Sequence, residues 1–101
     1  MFECSRQDAK IATLLASVGH PLRLKIIEAM GNSPVRMADI ADRLGTENAP
    51  QLWVHVKKMV DMGIVKKSRS GKLIYYSLVD QGVSELVVLS RQIYSVIQGH
   101  C

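Results

Sequence analysis

Cysteine, aromatic side chains and long apolar runs are all scarce in this 101-residue chain, and each scarcity removes a class of protein. The two cysteines, Cys4 and Cys101, stand at opposite ends and make no CxxC, a pattern that suits neither a disulfide scaffold nor a zinc ribbon. Five aromatic residues leave the core to Leu, Ile, Val, Met and Ala. No apolar run nears the roughly 18 residues of a membrane span, so no membrane partner is expected. The opening MFECSRQDAK is charged and lacks the apolar middle of a signal peptide, which predicts a cytoplasmic protein. A Gly-rich phosphate loop, a nucleophile elbow and a carboxylate pair in a shared apolar setting are also missing. No enzyme, no catalytic residue and no cofactor is expected.

What is present is a globular composition, 48% apolar, in a chain long enough for one core and too short for two. The expectation is a single domain over 1–101. Charge is unevenly placed. Residues 51–72 carry Lys57, Lys58, Lys66, Lys67, Arg69 and Lys72 against the single acid Asp61, a surplus of five, while the rest of the chain is close to neutral. The whole-chain balance of +4 therefore belongs to one segment, the footprint of a surface that meets phosphates.

Apolar periodicity gives the elements. Ile11, Leu14, Leu15 and Val18 recur at helical spacing up to Gly19, predicting a helix over about 6–18. Pro21 suits the first turn of a second helix running to about Met30, with Leu22, Ile26, Ile27 and Met30 inward. Met37, Ile40, Ala41 and Leu44 mark a third helix closed by Gly45. A fourth begins near Asn48, with Asn48 as cap-like residue before Pro50, buries Leu52, Val56, Met59 and Val60, and ends at Gly63. Residues 64–78 read as a β-hairpin with Ser70-Gly71 at its tip and Ile74, Tyr76 and Leu78 on one side. Asp80 caps a last helix over about 81–98.

Two helices joined by a short turn and followed by a basic hairpin make a winged helix-turn-helix, with the helix-turn-helix over about 36–62 and the wing over about 64–78. The fold class is mainly α with a small β-hairpin. A helix over 50–62 is narrow enough for the major groove, and the hairpin can follow the adjacent backbone or minor groove. The DNA-binding candidates on this helix are Asn48, Gln51, Trp53, Val54, His55, Lys57 and Lys58. Gln51, Val54 and Lys58 point away from the core; Trp53, His55 and Lys57 flank them. Gln51 suits a bidentate pair with adenine, and the lysines suit phosphates. In the wing, Lys66, Lys67, Arg69 and Lys72 are the candidates, with Arg69 the one to enter a minor groove. Trp53 has two readings, packing against the hairpin or contact with DNA, and both stay open.

The last helix carries an apolar arc wider than a surface helix of one small domain needs. Ile11, Leu14, Leu15, Leu86, Leu89, Ile93, Tyr94 and Ile97 are accordingly expected to bury themselves against a second copy, in an isologous homodimer.

The runs GHPLRLKIIEAM, ADIADRLG and PQLWVHVKKMVDMGIVKKSRSGKLIYYSL resemble the ArsR/SmtB family of winged-helix transcriptional repressors over roughly residues 12–80. His20-Pro21-Leu22-Arg23, His55 three residues after Leu52, the Gly63 turn and Gly71 followed by Tyr75-Tyr76 fall in the family's order. The resemblance implies a homodimer that binds an inverted-repeat operator on double-stranded DNA and is released by an effector, whose identity stays unknown. The departures matter as much. Positions matching the family's thiolate metal site hold Arg36 and Ala38. Those matching its other metal site hold Asp80, Gly82, Ile93 and Val96. Those matching its thiol-sensing cysteines hold Glu28 and Gln98. No metal site is expected. Family members usually carry serine where Trp53 stands. Two alternatives remain: a redox-responsive regulator switched through Cys4 and Cys101, and a winged-helix module that binds protein instead of DNA.

Overall fold

The computed structural model describes residues 3–47 and 49–99. Its elements are α1 (Arg6–Val18), α2 (Pro21–Met30), α3 (Met37–Leu44), α4 (Ala49–Asp61), β1 (Val65–Ser70), β2 (Leu73–Leu78) and α5 (Gln81–Gln98). The expected order of four helices, a hairpin and a fifth helix is found.

Local chemistry explains most of the boundaries. Ser5 and Asp8 form a reciprocal capping box at the start of α1: Asp8 N–H donates to Ser5 Oγ at 3.0 Å, and Ser5 N–H donates to Asp8 Oδ2 at 2.8 Å. His20 caps α2 through Nδ1, which accepts from Leu22 N–H, with Pro21 behind it where a helix needs no N–H. Asp80 does the same for α5 by accepting from Gly82 N–H at 2.7 Å. Gly63, at φ +85°, ends α4: its N–H donates to Val60 O and Ile64 N–H to Met59 O, the double closure that a left-handed residue permits. The expected cap Asn48 lies outside the described residues.

The hairpin pairs Val65 with Leu78 through Ser70 with Leu73, so the two turn residues are Gly71 and Lys72. The tip thus sits one residue later than the Ser70-Gly71 expected from sequence. Gly71 takes φ +63° in the first central position, where a two-residue hairpin turn needs a residue without a Cβ. On the outer side of β2, Val35 and Tyr76 exchange both backbone hydrogen bonds, at 2.9 and 2.7 Å. The chain entering α3 therefore forms a short third lane of the sheet.

The core gathers Ile26, Ile27, Met30, Ile40, Leu52, Val56, Met59, Ile64 and Val87, all essentially inaccessible. Burial of one such side chain is worth about 1.5–3 kcal/mol. Val60 and Leu22 are only partly buried at the rim. The terminal helices contribute little to this core: α1 buries only Ser17 and Val18, and α5 only Val87. Among their remaining apolar side chains, Ile11, Leu14, Leu15, Leu89, Ile93, Tyr94 and Ile97 are exposed on the single chain, and Val83 and Leu86 are partly buried.

Candidate nucleic-acid interface

With Leu52, Val56 and Met59 locked into the core, helical geometry dictates what α4 presents outward. Val54 stands opposite the buried stripe. Gln51 and Lys58 lie on one side of it, Trp53 and Lys57 on the other, and all five are exposed. Asp61 lies near the C-terminal end of the same face and is the one acid in this stretch.

Trp53 is 49% exposed, and Lys57 Nζ sits over its ring, 5.1 Å from the centroid. An ammonium at that distance is drawn to the electron-rich face of the indole. Trp53, Lys57, Val60 and Asp61 then face Lys67 and Tyr76 across a cleft of about 260 Å³ between α4 and the hairpin. Trp53 borders the hairpin without entering the core, and half of its surface remains accessible.

His55 behaves differently from its neighbours. It is partly buried and turned toward α2, where Arg23 Nε donates to its Nδ1 at 3.2 Å. The neutral ring therefore carries its proton on Nε2. The His20 ring lies 4.4 Å away, centroid to centroid. Burial first, and then electrostatic interaction with His20, Arg23 and Lys58, hold the His55 pKa below the ordinary 6.5. Arg23 also donates from Nη1 to Ser17 O at 2.8 Å, so one guanidinium joins the end of α1, the start of α2 and the middle of α4.

The wing divides its cations by strand alternation. Lys67 and Arg69 fall on the face of β1 that Val65 shares, and Lys67 lines the cleft beside Trp53. Lys66 falls on the opposite face, in a shallow hollow with Asn32, Pro34 and Asp80. Lys72 occupies the turn. All four are exposed.

Away from this face, Arg91 on α5 makes a bidentate pair with Glu28 on α2, both contacts at 2.6 Å. The Arg91 hydrogen bond holds the Glu28 carboxyl below its usual range. Glu28 is thus occupied at one of the two positions where thiol-sensing relatives carry cysteine. Arg36 precedes α3, its backbone N–H held by Asp39. No group of three or more metal-ligating side chains occurs among the described residues. Cys4 is an exposed free thiol, and Cys101 lies outside the described residues.

No protein-family model matches the chain. It is 31% identical over 88 residues to a probable mercury resistance operon repressor of Streptomyces lividans, covering 87% of this chain and 69% of that one. It is 30% identical over 83 residues to the HTH-type transcriptional regulator NmtR of Mycobacterium tuberculosis, covering 82% of this chain and 68% of that one. The chain belongs to the ArsR/SmtB family of winged-helix regulators. Its fold superposes on the transcriptional repressor PagR of Bacillus anthracis with a TM-score of 0.70 at 29% identity, over 80% of this chain and 92% of that one. It is a DNA-binding transcriptional regulator, and of the functions open at the level of sequence the protein-only module and the redox switch are not favoured.

Within this ArsR/SmtB frame, sequence reasoning missed one residue that matters to α4. Arg23 entered only as the last letter of the His20-Pro21-Leu22-Arg23 motif. Its partners, six and 32 positions away, leave no periodic signal.

Proposed function

We propose that this ArsR/SmtB regulator is a repressor that binds an inverted-repeat operator as a homodimer, inserting α4 of each subunit into the major groove and laying the wing along the neighbouring backbone. One observation carries the reading. Lys57 and Lys67 line one cleft between α4 and the hairpin, with Lys58 exposed on the outer side of α4 and Arg69 exposed on the Lys67 face of β1. Gln51 pairs with a base edge, while Lys57, Lys58, Lys66, Lys67 and Lys72 neutralise phosphates and Arg69 enters the minor groove. The exposed apolar arcs of α1 and α5 support pairing of two copies through those helices, since monomers rarely leave so large an apolar area in water. The role is non-catalytic and cytoplasmic, and operator release does not use a metal at Arg36 and Ala38, which offer no ligand. No helix among the described residues is long and apolar enough to cross a membrane.

A gel-shift titration against a pool of random duplexes, repeated at rising salt, tests this. Selection of an inverted repeat whose affinity falls steeply with salt is the expected result. Salt-independent binding, or none, overturns it.

A further inference from the structure

We propose that Val54 and Trp53 are the specificity-determining residues of this regulator, and that they read thymine 5-methyl groups in the major groove. The inference rests on the DNA-bound reading above and adds which feature of the bases is read.

Val54 sits at the most outward position of α4, directly opposite Leu52 and Val56, and is 43% exposed. Trp53, beside it, is 49% exposed. Val54 gains nothing from the fold itself, because the core of this subunit lies behind it, and Trp53, though it borders the hairpin, still leaves half of its surface in solvent. The surrounding charge selects the partner. Lys57 and Lys58 on α4 and Lys67 on β1 rim the pair against the one acid there, Asp61, a net positive setting that favours a polyanion over a cationic partner.

The chemistry then narrows further. Val54 has no donor or acceptor, so it cannot read the hydrogen-bonding edges of the major groove. The one apolar group on those edges is the thymine methyl. Trp53 offers a single N–H and a broad apolar ring. Lys57 covers that ring from one side at 5.1 Å, and the cleft with Lys67 and Tyr76 opens beside it. The ammonium is thereby stationed where a phosphate passes, and the ring where a base edge does. Gln51 and Lys58, on the other side of Val54, supply polar contacts that need no methyl group.

Burying one methyl group is worth about 0.8 kcal/mol, which corresponds to about a fourfold change in affinity. The test uses the operator selected from random duplexes, with each thymine replaced in turn by deoxyuridine. For the unsubstituted protein, affinity is expected to fall about fourfold at one or two thymines of each half-site and to stay constant elsewhere. Val54→Ser is expected to melt like the parent and Trp53→Ser to stay folded, and each to lose the deoxyuridine sensitivity at the thymine its own residue reads. Less than a twofold loss at every thymine, an operator with no thymine in its half-sites, or full discrimination retained by both variants overturns the inference while leaving DNA binding intact. Failure to select any duplex instead refutes the DNA-bound reading, and this inference with it.

Discussion

Arg23 and His55 are 32 residues apart in sequence and 3.2 Å apart in space, and their hydrogen bond fastens α4 to the start of α2. The same guanidinium holds the carbonyl of Ser17, at the buried end of α1. Three helices meet on one planar cation. Arg23→Ala is therefore expected to destabilise the fold by about 1–3 kcal/mol, since it strands a part-buried carbonyl and an imidazole acceptor. Arg23→Lys recovers little, because an ammonium on a flexible stem cannot address two partners at fixed angles. Urea denaturation at neutral pH measures both; a loss below about 0.5 kcal/mol for Arg23→Ala contradicts the arrangement.

His55 adds a pH dependence. Its pKa is lowered in the folded state, first by burial and then by His20, Arg23 and Lys58, so the unfolded chain takes up the proton more readily. The stability this site contributes is complete above the ordinary value of 6.5 and is lost as pH falls from there through the lowered folded value. Protonation also removes the acceptor that Arg23 uses. Melting temperatures recorded from pH 8 to pH 5 are expected to decline below about 6.5, and His55→Gln to flatten that decline. The Glu28–Arg91 pair acts lower on the scale: its depressed carboxyl gives stability present above 4.5 and lost as pH falls further, and exposure to solvent keeps the effect small.

Arg69 shares the Lys67 face of β1. Arg69→Ala is expected to weaken binding to all duplexes by a similar factor and to lower the salt slope by about one phosphate per subunit. Filter binding at several salt concentrations on two unrelated duplexes checks it. A changed sequence preference would mean that Arg69 reads bases or groove width.

The apolar arc of α5 gives a test of assembly. Leu89 and Ile93 are each 53% exposed on the single chain. Placing a charge there costs an isolated subunit little and a paired one a great deal. Leu89→Glu and Ile93→Glu are expected to keep their helical content, sediment as monomers and lose operator affinity more than tenfold. A monomeric parent protein would remove the basis for this prediction.

The parts of the structure legible in the sequence are those whose signal is local. The spacing of Ile26, Ile27 and Met30, and of Leu52, Val56 and Met59, announces two helix faces that are indeed sealed in the core. Alternation of Ile74, Tyr76 and Leu78 announces the inner side of β2, and Asp80 announces the start of α5. The hairpin tip falls one residue later than sequence predicts because a small polar residue before glycine resembles a turn pair, whereas in this turn the glycine stands first and supplies the positive φ. Val35 pairing with Tyr76 had no pattern to betray it, since one residue makes no alternation. Helix position puts His55 on the flank of the outer face, and only its three-dimensional neighbours Arg23 and His20 show that the ring leans toward α2.

Because Val35 grips the outer edge of Tyr76 while Lys67 pairs with its inner edge, the wing is clamped to the same frame that carries α4. The inner half of the hairpin is thereby tied to the segment that leads into α3, and only its last rungs, from Ser68 to Leu73, extend past that tie. For the homodimer proposed above, a releasing signal would find little play at the root of each wing. It would act instead on the spacing of the two subunits, and so on the terminal helices.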